Sequence, residues 1–423
     1  MRGGRSVLYL FIFFLTMINY ADRVALSIGS KAISDEFHLT SIQMGYLLSS
    51  FSWTYVMFLI PWGTAVDRVG PRIVTMIGMG LWSTATVITG FAFNLASLFG
   101  ARMLMGASES SAFPSVGRLI RSWVPRSDFG FANTVAISGG YAGPAVGAIV
   151  FGWLASMYGW RGGFAIVGCS GFIWMLLAFF FFHKPAAAPH KQIVALSDKT
   201  EEEKVGTLAG FGHLVRSPSL WGLFLTQGAC VYSHYLHLTW LPNYLQTTKH
   251  LTMMTTGLFT GLPFGISVFG SLALSVFSDR MLGVDRTGKR RWMVAVMMLF
   301  STVIVLLPFV DNIWVILAIF TVALTATSAA TGLNAALLTD LLASPSDAGK
   351  AHAVLVIGGN TFGALAPIVT GYVIAETGGF DATWYFCGAL LVVGAVIVMS
   401  FTRGTIGVVR DEKPESRRIY ASL

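Results

Sequence analysis

The strongest constraint on this chain is the recurrence, almost to its end, of apolar runs of about twenty residues or more. A helix of that length spans the hydrocarbon core of a bilayer, so each run reads as one crossing. Twelve are expected, near 7–28, 42–65, 73–93, 96–118, 129–157, 163–182, 219–245, 254–278, 292–310, 313–340, 350–375 and 381–402. Stretches such as Phe172 to Leu177 are apolar on every side, as helices facing lipid and other helices must be. The ten-residue alternation of a membrane β-barrel is absent. Only 11% of the 423 residues are charged and 54% are hydrophobic, whereas soluble domains carry about 25% charge. These features exclude a soluble enzyme, a disordered chain and a disulfide scaffold. The expected fold is an all-α membrane protein of twelve transmembrane helices.

Charge then orients the spans. With both termini in the cytoplasm, all but five of the 28 Lys and Arg residues fall on the inside. Lys31, Arg161 and Lys249 lie outside, and Arg23 and Arg102 stay within helices. That asymmetry follows the positive-inside rule, and a bacterial inner (plasma) membrane is the expected location. The net charge of +8 is therefore topological, and its scatter over short loops argues against nucleic-acid binding. The first segment follows Arg2 and Arg5 like a signal peptide, but Asp22 and Arg23 within it and the later spans favour a retained helix. Cys169, Cys230 and Cys387 fall in predicted spans and read as small apolar fillers. No cofactor motif and no metal-ligand cluster is apparent, and the protein reads as a monomer that is not an enzyme.

The longest polar stretch divides the spans into two sets of six. Residues 1–182 read as an N-terminal six-helix bundle, 183–217 as a cytoplasmic linker, 218–402 as a C-terminal six-helix bundle and 403–423 as a cytoplasmic tail. A short amphipathic helix on the membrane is an alternative for part of the linker. The halves repeat weakly, since Asp67-Arg68 after the second span is matched by Asp279-Arg280 after the eighth, an offset of 212. Two similar halves suggest a substrate path at their interface near the bilayer midplane. Gly63, Asp67, Arg68, Gly70 and Arg72 follow the spacing G-x-x-x-D-R-x-G-x-R. This motif, between spans two and three, resembles the loop signature of the major facilitator superfamily. The resemblance covers essentially the whole chain and implies a cytoplasmic gate latch that includes Asp279 and Arg280. It says nothing of substrate.

Four ionisable residues remain deep within spans: Asp22, Arg23, Arg102 and Glu109. Each costs roughly 2.5–3.5 kcal/mol at a helix centre on insertion scales, so each needs a partner or a wet cavity. Span one runs outward and span four inward, which puts Asp22 and Arg102 at matching depth as a candidate pair. Glu109 lies seven residues beyond Arg102, on the same face and near the midplane. Arg23 can either hold Glu109 or bind an anionic substrate. A purely structural ion network is the plain alternative. A midplane acid otherwise marks a proton relay.

Asn19-Tyr20-Ala21-Asp22-Arg23 is similar to the N-Y-x-D-R signature of the anion:cation symporter family within that superfamily. Arg102 with Glu109 before Ala112-Phe113-Pro114 resembles the family's fourth helix, and Trp53, Tyr55, Trp240, Pro242 and Tyr244 also fit. The resemblance implies proton-coupled uptake of an organic carboxylate such as a sugar acid or aromatic acid. By it, Asp22 and Glu109 carry protons, Arg23 holds the carboxylate, Arg102 couples to Asp22, and Tyr20 and Tyr55 bond the substrate. Three positions depart from the sugar-acid pattern: Ser111 stands for Pro, Gly140 for a polar residue often Gln, and Val356 for Asn. They point away from galactonate and toward a less polar cavity. In span seven, Tyr232 and Tyr235 share one face and His234 and His237 another, at i, i+3. Tyr232, Tyr235 and His234 are expected at the cavity with Asn360, and Asn334 and Thr361 are weaker candidates. The partners are thus a small organic anion, protons and lipid. A drug/proton efflux antiporter and a transporter-like sensor are the rival readings. Arg23 would repel cationic drugs, and a sensor would want a larger signalling region than the tail beyond Arg403.

Overall fold

A computed structural model describes residues 2–125, 128–181, 212–281, 286–344 and 347–407. Residues 183–211 of the expected linker and 408–423 of the expected tail lie outside the described residues. What is described is helical: α1 (Arg2–Phe37), α2 (Ser41–Val69), α3 (Pro71–Gly90), α4 (Leu95–Glu109), α5 (Ala112–Trp123) and α6 (Phe129–Phe181) precede the single-turn α7 (Gly212–Val215). Then come α8 (Pro218–Thr247), α9 (Met253–Met281), α10 (Arg286–Ser301), α11 (Ile313–Leu341), α12 (Ala348–Thr377) and α13 (Asp381–Phe401). A 3-10 segment, Thr302–Phe309, extends α10. By length and composition, eight helical stretches among the described residues could cross a membrane. Their outer surfaces stay apolar, with Ile60, Phe93, Phe269 and Phe309 each more than three-quarters exposed. Such a surface suits lipid rather than water.

The helix ends follow local chemistry. Thr40 with Gln43, and Asn94 with Ser97, form capping boxes that satisfy the first free N–H groups of α2 and α4. Gly70 (φ 94°) turns the chain from α2 into α3, where Pro71 occupies the first turn. Gly378 (φ 75°) closes α12 in the left-handed region. The expected fifth and sixth spans form one stretch, α6, interrupted at Gly159 (φ 70°, ψ 168°). There the chain turns back, bringing the rings of Phe151 and Phe164 to 4.7 Å. The fourth span, expected as one helix, is broken between Glu109 and Ala112. Pro114 has no N–H to offer the carbonyl of Ser110, and the Ser111 N–H instead makes a tighter bond to the Ser108 carbonyl at 3.2 Å.

Glycines set how closely the helices approach. A Cβ on Gly143 would lie 2.5 Å from Tyr20 Cβ and 2.6 Å from the Met17 carbonyl, and one on Gly147 would lie 2.5 Å from Ala21 Cα. With Gly139, which faces Thr16 and the Phe13 carbonyl, they lay α6 directly on α1. This seam fixes the register of Tyr20, Asp22 and Arg23. In the second half, Trp384 packs among Phe320, Tyr244 and Phe380 at ring separations of 5.2–6.1 Å.

The contacts between α1–α6 and α8–α13 gather at one end. The Ser49 hydroxyl donates to the Ala364 carbonyl (2.5 Å), Asn243 Nδ2 to Ser30 Oγ (3.1 Å), and Gln246 Nε2 to the Ile28 carbonyl (2.8 Å). Tyr46 and Tyr372 share a hydroxyl contact at 3.3 Å. Bare backbone meets beside them: Gly45 against Pro367, Gly371 against Ser41, and Gly152 and Ala148 against Gly257. Among the described residues, the loop signature at the far end makes no such crossing. Asp67 lies 3.9 Å from Arg118 of its own half, Arg72 donates to the Phe179 carbonyl at 3.4 Å, and a Cβ on Gly63 would meet nothing within 4 Å. Arg68 and Arg280 are exposed, and the Asp279 side chain lies outside the described residues.

Candidate functional site

Beneath the sealed end lies a cavity of about 360 Å³ between the halves. The first half contributes Tyr20 from α1, Phe113 from α5, and Ile137, Gly140, Tyr141 and Pro144 from α6. From α8 come Gln227, Val231, His234, Tyr235 and Leu238, the heptad-like stripe of a single helix face. Phe264 and Ser267 of α9, Ser328 and Thr331 of α11, and Val356, Gly359 and Asn360 of α12 complete it.

An ionic cluster is buried behind Tyr20. Arg23 Nε donates to Glu109 Oε2 at 3.1 Å, and its Nη2 donates to Asn19 Oδ1 at 3.0 Å. Asn19 reaches the Glu109 carbonyl in turn, at 3.5 Å. Glu109 is inaccessible and Arg23 is 7% exposed. Three rings cover the guanidinium, Tyr20 at 4.4 Å, Phe51 at 4.6 Å and Tyr55 at 4.8 Å. Each such contact adds about 0.5–2 kcal/mol, more as the site is drier. Tyr235 turns its hydroxyl to the same guanidinium from the opposite half. Arg23 therefore touches the pair acid, the first-half rings and the second half at once.

Three buried polar atoms of the cluster have no partner: Glu109 Oε1, Asp22 Oδ1 and Arg102 Nε. The geometry also revises the expected pairing. Asp22 and Arg102 make no direct ion pair among the described residues. Arg102 lies back along its own helix, with Nη1 2.8 Å from Met105 Sδ and its guanidinium 5.4 Å from the Phe51 ring. Asp22 feels Glu109 and Arg102 only through longer-range electrostatics. Matching depth placed the two groups on one level, but side-chain direction along α4 decided the contact.

Of the other expected site residues, Tyr20, His234, Tyr235 and Asn360 line the cavity, and Tyr55 stands on Arg23 without lining it. Tyr232 does not reach the cavity. It points the other way, with its hydroxyl 3.4 Å from Thr370 and its ring against Phe386. The cavity face of α8 joins positions 231, 234, 235 and 238, so His234 and Tyr235 share it while Tyr232 and His237 do not. His237 is inaccessible, with Nδ1 2.6 Å from the Ser233 carbonyl and Phe320 beside it. Asn334 donates to Gln227 Oε1 (2.9 Å) and the Leu223 carbonyl (3.0 Å), behind the lining, and Thr361 bonds its own helix. Tyr141, Gln227, Ser267, Ser328 and Thr331 were not foreseen. Gln227 lies one heptad before His234, and Ser328 and Thr331 sit at i, i+3 within an apolar run, signals that mark one face but not which neighbour it meets.

A cavity between α1–α6 and α8–α13, closed at one end and backed by a buried arginine–glutamate pair, fits a membrane transporter. The chain belongs to the Major Facilitator Superfamily, whose family model matches residues 12–283 and 282–419. It is 28% identical over 427 residues to a protein named as the probable galactarate/D-glucarate transporter GarP of Escherichia coli (strain K12), covering 95% of each chain. Identity to the D-galactonate transporter of Escherichia coli O6:H1 is 30%, over 93% of this chain and 95% of that one. Identity to the probable sulfoacetate transporter SauU of Cupriavidus necator is also 30%, over 90% and 89%. These relatives agree with membership of the anion:cation symporter family. Among solved structures, the fold matches a bacterial homologue of the human lysosomal transporter Spinster in an inward-facing, unoccupied conformation. The TM-score is 0.75 at 18% identity, over 94% of this chain and 95% of that one.

Proposed function

We propose that this chain is a proton-coupled symporter that takes up an organic carboxylate by alternating access across a bacterial inner membrane. The observation that carries the reading is the buried Arg23–Glu109 pair directly behind the cavity. The relatives named for galactarate, glucarate, galactonate and sulfoacetate support an organic acid as cargo. A cationic drug is disfavoured by Arg23, the cation nearest the cavity floor.

The topology in this reading has twelve spans. The pair α4 and α5 makes one span, α6 makes two about Gly159, and α10 with its 3-10 extension makes one. Residues 1–182 and 218–402 are the two bundles, 183–217 the linker and 403–423 the tail, with both termini cytoplasmic. The sealed end is then the outer face. The motif around Gly63 and Asp67, with Arg68, Gly70, Arg72, Asp279 and Arg280, latches the inner face in the opposite state.

Coupling follows from competition for one guanidinium. While Glu109 is ionised it occupies Arg23 Nε, and the substrate carboxylate must displace a buried anion. A proton on Glu109, with Oε1 free to take it, turns that partner neutral and releases Arg23 to the substrate. Asp22 is the second proton site and Arg102 its longer-range counter-charge. Tyr20, Tyr55 and Tyr235 hold the guanidinium in place for either partner.

Reconstitution in proteoliposomes tests this. Glu109→Gln should abolish accumulation driven by a pH gradient while preserving exchange of labelled substrate, and Arg23→Ala should lose the anion altogether. Accumulation by Glu109→Gln at the wild-type level would sink the proton role.

A further inference from the structure

The cavity is rich in rings. Tyr20, Phe113 and Tyr141 line it from the first half, and His234, Tyr235 and Phe264 face them from the second. His234 and Phe264 themselves meet edge to face at 5.6 Å. Several of the polar residues present are already committed. The Ser267 hydroxyl donates to the Phe264 carbonyl (2.8 Å), the Thr331 hydroxyl to the Thr327 carbonyl (2.9 Å), and Gln227 Oε1 accepts from Asn334 (2.9 Å). No described residue lining the cavity bears a formal charge. A dianion would therefore find Arg23 for one carboxylate and no cation for the other, since Arg102 is folded onto Met105.

Gly140 adds a geometric reason. A Cβ there would come within 3.3 Å of the Tyr20 ring, the same ring that covers Arg23 at 4.4 Å. A side chain at 140 must shift Tyr20 by a few tenths of an ångström and take up the space beside its ring. With glycine, the space beside the Tyr20 ring stays open. The volume, about 360 Å³, sits toward the small end of the roughly 300–1,000 Å³ typical of ligand pockets.

We infer that the substrate is a flat aryl monocarboxylate, its ring held among the six rings and its carboxylate taken by Arg23. This rests on the carboxylate reading above and specifies it. Gly140 is then the residue that sets specificity, by leaving the space beside Tyr20 unfilled.

Calorimetric titration of the full chain in detergent, one acid at a time, tests the inference. The panel is benzoate, 4-hydroxybenzoate, 2-naphthoate, cyclohexanecarboxylate, D-galactonate and galactarate. At least one aryl acid should bind tenfold or more tightly than either sugar acid, and more tightly than the puckered cyclohexane analogue. Phe113→Leu and Phe264→Leu, which keep an apolar side chain, should each weaken aryl binding about fivefold to tenfold. Gly140→Ser should weaken it further while eluting as the wild type does. Galactonate or galactarate binding more tightly than every aryl acid, with loss in Arg23→Ala, would overturn this inference and leave the carboxylate reading standing. Binding of none of the six acids would overturn both.

Discussion

Replacing Glu109 with glutamine gives the most direct measure of how the cluster works. Glutamine keeps the shape of the side chain and removes its charge, so it imitates the protonated acid permanently. In the structure the acid meets Arg23 through one contact of 3.1 Å with both groups buried. Hydrogen bonds to charged groups are worth about 1.5–3 kcal/mol. If the substrate carboxylate must replace that contact, its removal should tighten binding roughly 10-fold to 100-fold, at about 1.4 kcal/mol per tenfold. The sign with pH follows. In the wild type, raising the pH ionises Glu109 and restores the competitor, so affinity falls by up to about tenfold per pH unit for one proton. In Glu109→Gln, the slope that Glu109 contributes should be lost. Calorimetric affinities for the best-bound acid, taken across a pH series for both proteins, decide it. A glutamine variant that binds more weakly than wild type at high pH, or with the wild-type slope, would refute the competition.

Three further outcomes follow from other parts of the molecule. Asp340→Ala removes the partner 2.6 Å from Arg290 Nη1, where the two are 9% and 17% exposed, and should cost about 1–3 kcal/mol of stability, read as a lower unfolding temperature in detergent. Trp384→Ala removes a fully buried ring from the Phe320–Tyr244–Phe380 cluster and should cost about 3–5 kcal/mol, measured the same way; a change under about 1 kcal/mol would mean the cluster is not a unit. Gly257→Leu forces a side chain into the Ala148 backbone at the sealed end, so a cysteine placed at Ser30 should label several-fold faster with a polar thiol reagent than in the parent.

Much of the architecture could be read from the residues because a bilayer leaves few choices. Apolar runs must be helices there, and Gly70, Pro71, Thr40 and Asn94 mark their own helix ends. The breaks were less visible. Pro114 announces a disturbance, but only the fold shows it falling just after Glu109. The acids and arginines of the cluster stood out because charge in a membrane is conspicuous. Their partners did not, because depth along two helices says nothing of χ angles, and so Arg102 went to Met105 rather than to Asp22. The aromatic pattern of α8 was ambiguous for a related reason. Positions 232 and 235 are neighbours on a helix, yet a boundary between cavity and protein passes between them, and it is set by where α12 and α13 lie.

The sealed end has a consequence for the energetics of switching. Its described cross-contacts are all neutral: backbone against glycine, carbonyls accepting from an amide and a hydroxyl, a hydroxyl accepting from an amide, and two tyrosines. None of the described ion pairs joins the halves. Surfaces joined without charge pairs part with little dependence on electrolyte. The rocking step on this side should therefore proceed at nearly the same rate in dilute buffer and in strong salt, leaving ionic strength to act on the carboxylate's approach to Arg23.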